Sequence, residues 1–167
     1  KERPFLEEVS RSPGKLKIAW SNETPSGRPM GDEMIAATQK TVETLKHLGH
    51  EVVEMGLGID YRLLYRAQGL VSASNFAASI QRWVELLGRE PEPGELGPLA
   101  QRGYDGGRRV SGQQALWGWQ TLRLINIQIL ERFQSFDVFL TPTMSHPSPR
   151  IDWLDPLTPM NAIVDST

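Results

Sequence analysis

The chain has 167 residues, with 18 Lys and Arg against 20 Asp and Glu for a formal net charge of −2, and it contains no Cys. A domain-sized chain with 39% apolar and 23% charged residues is neither disordered nor fibrous, and without Cys it supports no disulfide scaffold, thiol nucleophile or zinc ribbon. No basic run could neutralise a phosphate backbone, and no apolar stretch approaches the ~20 residues that cross a bilayer, so the expectation is a cytoplasmic protein with neither nucleic acid nor membrane as partner.

The chain opens Lys1-Glu2-Arg3-Pro4-Phe5 without a Met, as a piece of a longer protein would, although a processed chain gives the same look. Lys15 to Trp20, entered through Pro13-Gly14 and left through Ser21-Asn22, predicts a buried strand. A loop follows from Ser21 to Gly31, broken by Pro25, Gly27 and Pro29, and Asp32 is placed to cap the next helix. Ile35, Thr38, Val42, Leu45 and Leu48 form one stripe of a helix over 32–48, with acids at its start, Lys46 and His47 at its end and Gly49 as its exit. Glu51 to Met55 is β-branched at its centre and predicts a second strand, parallel to the first because a helix joins them.

Tyr61, Leu64, Ala67, Val71, Ser74 and Ala78 keep a helical period that stops at Gly88, in one long helix or in two broken near Gly69. Pro91 to Gly94 reads as a turn, Leu96 to Arg102 as a short helix and Gly103 to Gly107 as a loop. Ser111 and Gln114 have capping-box spacing and open a helix whose apolar positions are Ala115, Trp119, Leu122, Ile125, Ile129 and Phe133. Val138 to Leu140 predicts a third buried strand stopped by Pro142. From Met144 onward, Pro147, Pro149, Pro156 and Pro159 predict extended loop. The whole is one α/β segment, 1–167, with a partial mixed or parallel sheet of about three strands, long helices, and 143–167 largely loop.

The residues offer little chemistry of their own. His47 and His50 are three apart, but Gly49 ends the helix between them and removes a shared face for a metal, and His146 reads as a surface loop residue. Neither a dinucleotide fingerprint, a phosphate-binding loop nor a nucleophile elbow occurs, which leaves no cofactor implied. Ser21, Ser26, Ser72 and Ser74 are the nucleophile candidates, and each reads better as a cap or turn hydroxyl, with Lys15, Lys17, Lys40 and Lys46 tied to none of them by a motif. Trp83, Trp117 and Trp119 fall in helical patterns and are expected in the core.

Three segments in order carry a resemblance. They are Lys17-Ile18-Ala19-Trp20-Ser21 with Thr24-Pro25-Ser26-Gly27, then Leu45 to Val52, then Phe136-Asp137-Val138-Phe139-Leu140-Thr141-Pro142-Thr143. Together they resemble the C-terminal half of an amidase signature hydrolase, from about Pro13 to about Pro156, in wording nearer the bacterial amidases. The resemblance implies amide hydrolysis by a nucleophilic serine, a second serine in a cis peptide and a lysine proton relay, held in a GGSSGG-type signature. Nothing in these residues matches that signature, so the resemblance implies no catalytic residue here and a triad upstream, with a small-molecule amide as substrate.

What it leaves for this chain is channel wall and sheet support, with Asn75, Thr141 and Thr143 as candidate substrate-contacting residues. The A subunit of a tRNA-dependent amidotransferase is an alternative, but Ala78 stands in Ser74-Asn75-Phe76-Ala77-Ala78 where that subunit carries a carboxylate-holding arginine. A free-standing α/β binding module is the other alternative. An uncovered apolar strand edge or helix face, with Ile18 or Val138 near it, is expected to drive self-association.

Overall fold

The computed structural model describes residues 4–148. Their elements run α1 (Phe5–Glu8), β1 (Lys17–Trp20), α2 (Asp32–His47), β2 (Glu51–Glu54), α3 (Tyr61–Leu87), α4 (Pro98–Arg108), α5 (Gly112–Phe133) and β3 (Val138–Leu140). The chain divides into two units: Lys1–Gly58 with Leu130–Pro147, which holds the sheet, and a second that includes Ile59–Ile129, which holds the long helices.

In the sheet unit β1 is central, in the order β2-β1-β3, and both neighbours run parallel to it. Ile18 pairs with Val52 on one side and Val138 on the other, and Ala19 with Val53 and Phe139. This explains the apolar run in β1: a central parallel strand is covered on both sides, and Ile18 and Ala19 are 3% and 0% exposed. Ile18 therefore does not lie near an uncovered edge, whereas Val138, on an outer strand, is 44% exposed.

Side chains lock the entrance to the sheet. The Asp137 carboxylate accepts the Lys17 N–H at 2.7 Å while the Asp137 N–H donates to the Lys17 carbonyl at 2.8 Å, which fixes the start of β3 against β1. His50 Nδ1 accepts the Leu16 N–H at 3.2 Å, so this ring serves the β1–β2 entrance. Phe133, at the end of α5, meets Phe139 edge-on at 4.8 Å between centroids.

Helix α2 packs on β2 through the predicted stripe, burying Thr38 and Val42, and it ends as the sequence requires, with Gly49 at φ +89° and the His50 and Gly49 N–H groups returning to the Leu45 and Lys46 carbonyls. Its start differs from expectation. Gly31 rather than Asp32 is the N-cap, because the Gly31 N–H is held by the Ser145 carbonyl at 2.9 Å and the His146 ring packs where a Cβ would stand.

In the helical unit α3 is one unbroken helix of 27 residues, capped by the Asp60 carboxylate on the Arg62 and Leu63 N–H groups and ended by Gly88 at φ +69°. Gly69 does not break it. The loop expected at Gly103 to Gly107 is instead helical and lies in the second half of α4. These glycines are selected for thinness: a Cβ on Gly107 would stand 2.1 Å from the Ala73 carbonyl oxygen, and one on Gly103 3.0 Å from the Phe76 ring. Close approach to α3 offsets the poor helix propensity of glycine. Gly118 of α5 is a second such crossing, 2.9 Å from the Ala67 carbonyl oxygen by the same construction.

The predicted capping box opens α5: the Ser111 N–H donates to Gln114 Oε1 at 2.8 Å and the Gln114 N–H to Ser111 Oγ at 3.1 Å. The inward face of α5 carries the buried Gly118, Thr121 and Ile125 with the half-buried Ala115, Leu122, Ile129 and Phe133, so of the expected stripe only Trp119 faces out. Trp119 is exposed, as is Trp83, and neither is a core residue. Beyond β3, residues 141–148 form no regular element; the rest of the predicted loop lies outside the described residues.

Tyr104 ties α4 to α3. Its ring is 2% exposed, and its hydroxyl contacts Glu90 Oε2 at 3.0 Å and Gln81 Oε1 at 3.3 Å, with Arg108 over the ring face. Burial raises the phenol pKa above its ordinary 10.0, reinforced by the hydrogen bond to the Glu90 carboxylate. The neutral phenol is thus favoured by folding, and its contribution is complete below pH 10.0 and fades as pH climbs toward the folded-state value. Denaturant melts at pH 9 and pH 11 should show this loss in the wild type and a smaller one in Tyr104→Phe; equal losses would remove Tyr104 from the explanation.

Candidate functional site

In a parallel sheet the strand carboxyl ends are where loops diverge and ligands are held. In the sheet unit those ends bring together Ser21 to Thr24 after β1, Met55 and Gly56 after β2, and Thr141 to Thr143 after β3. The Ser21 N–H donates to the Leu140 carbonyl at 3.1 Å, continuing the ladder past β1, and Ser21 Oγ accepts the Glu23 N–H at 2.9 Å. That turn lays the Glu23 carboxylate over Gly56, where any Cβ would overlap it. Arg132 Nε donates to the Gly56 carbonyl at 2.9 Å, so the end of α5 fastens the end of β2. Asn22 Oδ1 is buried without a hydrogen-bond partner.

Thr141 and Thr143 stand exposed on the loop leaving β3. Just beyond, Ser145 and His146 reach the N-cap of α2, where His146 Nδ1 lies 3.1 Å from Ser145 Oγ. His146 is half-buried against Gly31 rather than a free surface ring. Asn75 belongs to the other unit, exposed on α3, where its carbonyl accepts the Ser79 hydroxyl at 2.9 Å.

The serines hold the roles of cap and turn hydroxyls. Ser21 Oγ and Ser26 Oγ accept turn N–H groups, and Ser74 Oγ donates back to the Leu70 carbonyl at 2.8 Å. Ser72 is exposed on α3. Among the described residues no lysine Nζ is hydrogen bonded to a serine; Lys17 is paired with Glu51 at 3.5 Å and lies over the Phe136 ring. Acyl transfer requires a nucleophile, a base in reach and an oxyanion donor around one point. Among the described residues, the hydrogen bonds of Ser21, Ser26 and Ser74 run to backbone groups and join none of these serines to a base.

The amidase family model matches residues 1–167, the whole chain. The chain belongs to the amidase family. This amidase-family chain is 25% identical over 135 residues to a lipoamidase of Enterococcus faecalis, a match covering 81% of the chain and 19% of that protein. Its fold is that of 6-aminohexanoate cyclic dimer hydrolase, solved with its substrate, at a TM-score of 0.83 and 22% identity over 96% of the chain and 34% of that structure. A bacterial aryl acylamidase of the amidase signature family is also similar, with a TM-score of 0.66 and 22% identity over 81% of the chain and 29% of that structure. The chain therefore spans between a fifth and about a third of the length of these relatives.

The clefts that line up with none of the sequence candidates lie in the helical unit. One of about 600 Å³ is formed by Tyr65, Arg66, Gly69 and Leu70 of α3 with Gln113, Gln114 and Trp117 of α5. Periodicity alone places Trp117 in the core, which hides this cleft from the sequence. The signal available was Arg66 on a helix without acidic residues from Tyr61 to Val84.

Proposed function

We propose that these residues are the non-catalytic part of an amide hydrolase whose serine, cis-peptide serine and lysine lie in chain preceding Lys1, and that they supply sheet support and one wall of the substrate channel. The observation that carries this reading is a whole-length amidase match combined with serines already engaged as turn acceptors or helix donors and lysines bonded to none of them. Relatives named for a lipoamide, a cyclic amide dimer and aryl amides support a small-molecule amide as the substrate class. Thr141 and Thr143, at a strand end, and Asn75 on α3 are the wall candidates, and a cytoplasmic location accompanies this reading.

The purified 167-residue chain is expected to give no hydrolysis of a simple aryl amide above blank. Turnover that copurifies with the chain and disappears in Ser21→Ala or Ser72→Ala would defeat the proposal. In a preparation containing the triad, Thr143→Val should raise KM several-fold with little effect on kcat; unchanged KM would remove Thr143 from the wall.

Self-association belongs to the same reading. Trp83, Leu86, Leu87, Leu99, Trp119 and Leu124 are each more than half exposed, and exposed apolar side chains on these helices support contact with a second copy. Sedimentation of the chain should show mass rising with concentration, and a strict monomer at high concentration would contradict it.

A further inference from the structure

The cleft between α3 and α5 has a composition that selects a ligand. Arg66 stacks its guanidinium over Trp117 at 4.9 Å from the ring centroid, and among the described residues it has no hydrogen-bond or ion-pair partner. The ring satisfies the cation without using its N–H donors, which a carboxylate can meet with two parallel hydrogen bonds.

Charge points the same way. The lining contains no carboxylate, and neither wall supplies one nearby: α3 carries Arg62, Arg66 and Arg82 but no Asp or Glu from Tyr61 to Val84, and α5 carries none from Gly112 to Leu130. The rest of the lining is aromatic, aliphatic or amide, with Gly69 leaving open space where a side chain would stand. A volume of about 600 Å³ falls inside the ~300–1000 Å³ range of small-molecule sites.

We propose that this cleft binds a small organic monocarboxylate with a flat apolar body, its carboxylate on Arg66 and its body over Trp117, Tyr65 and Leu70. Gln113 offers an amide donor at the rim. The site stands independently of the hydrolytic reading, since it uses no catalytic group and lies wholly within the helical unit.

The test is calorimetric titration of the chain with 3-phenylpropionate, paired with its uncharged isostere 3-phenylpropionamide. The acid should bind at least tenfold more tightly than the amide, and more weakly as ionic strength rises. Arg66→Gln should raise the Kd for the acid at least tenfold while leaving the circular dichroism melt unchanged, and Arg66→Lys should fall between them because it keeps the charge without the fork. Gly69→Leu should fill the cleft and weaken binding without lowering the melt, because a Cβ there meets nothing within 4 Å. Equal affinity for acid and amide, an unaltered Kd in Arg66→Gln, or full binding by Gly69→Leu would each overturn the assignment.

Discussion

Gly107→Ala should destabilise the helical unit by about 3 kcal/mol, the upper end of ordinary overpacking. The added methyl would stand 2.1 Å from the Ala73 carbonyl oxygen and 2.7 Å from the Ala77 Cβ, and a backbone carbonyl cannot swing aside as a side-chain tip can. The helices α3 and α4 must separate, opening the contact that buries Tyr104. The neighbouring Gly106 is the control: its Cβ position is empty, so Gly106→Ala should gain about 0.5–1 kcal/mol from helix propensity alone. Opposite signs at adjacent glycines, read by urea unfolding of both variants, are the expected result. A Gly107→Ala chain as stable as wild type would mean that α3 and α4 do not approach as described.

Ile18→Ala should cost about 2–5 kcal/mol, the range for truncating a buried isoleucine. Ile18 lies on the central strand and is 3% exposed, so truncating its side chain removes packed methyl groups and leaves a void in the core. Val138→Ala, on an outer strand and 44% exposed, should cost under about 1 kcal/mol. The same two variants bear on association: the edges available to a second strand are those of β2 and β3, not of β1. A larger loss at Val138 than at Ile18 would reverse the strand order proposed for the sheet.

The residues explain which parts of the fold were legible. β1, α2 and β2 were readable because local signals agree: a short apolar run, acids before and bases after a helix, and a glycine that must take positive φ at position 49. The capping box at Ser111 and Gln114 is equally local. Gly103 to Gly107 was misread because composition cannot distinguish a glycine chosen for a loop from one chosen to admit a neighbouring helix, and only the distance to Ala73 decides. Trp83 and Trp119 were misassigned because periodicity marks a stripe without saying whether anything covers it. Among the site candidates, Thr141 and Thr143 were placed at a strand end by Pro142 and the apolar run before it, and that placement holds. Asn75 came from family likeness, and the cleft around Arg66 was hidden because it joins two helices more than forty residues apart in sequence.

Glu95 adds an acid-side counterpart to Tyr104. Its carboxylate takes two 2.7 Å hydrogen bonds from Arg89, and that pairing, with the Glu92 N–H, lowers its pKa from 4.5 to about 2. Folding favours the ionised form, so this contribution is present above pH 4.5 and fades as pH falls toward 2. Because both side chains are more than 40% exposed, salt should weaken it further.

The location of the nucleophile is the claim on which the functional reading rests. Fluorophosphonate labelling of the longest product of the native gene, followed by peptide mass spectrometry, addresses it directly, because such reagents form stable adducts at activated serines. The reading predicts one dominant adduct on a serine that precedes Lys1 in the chain. An adduct on Ser21, Ser26, Ser72 or Ser74 would contradict it.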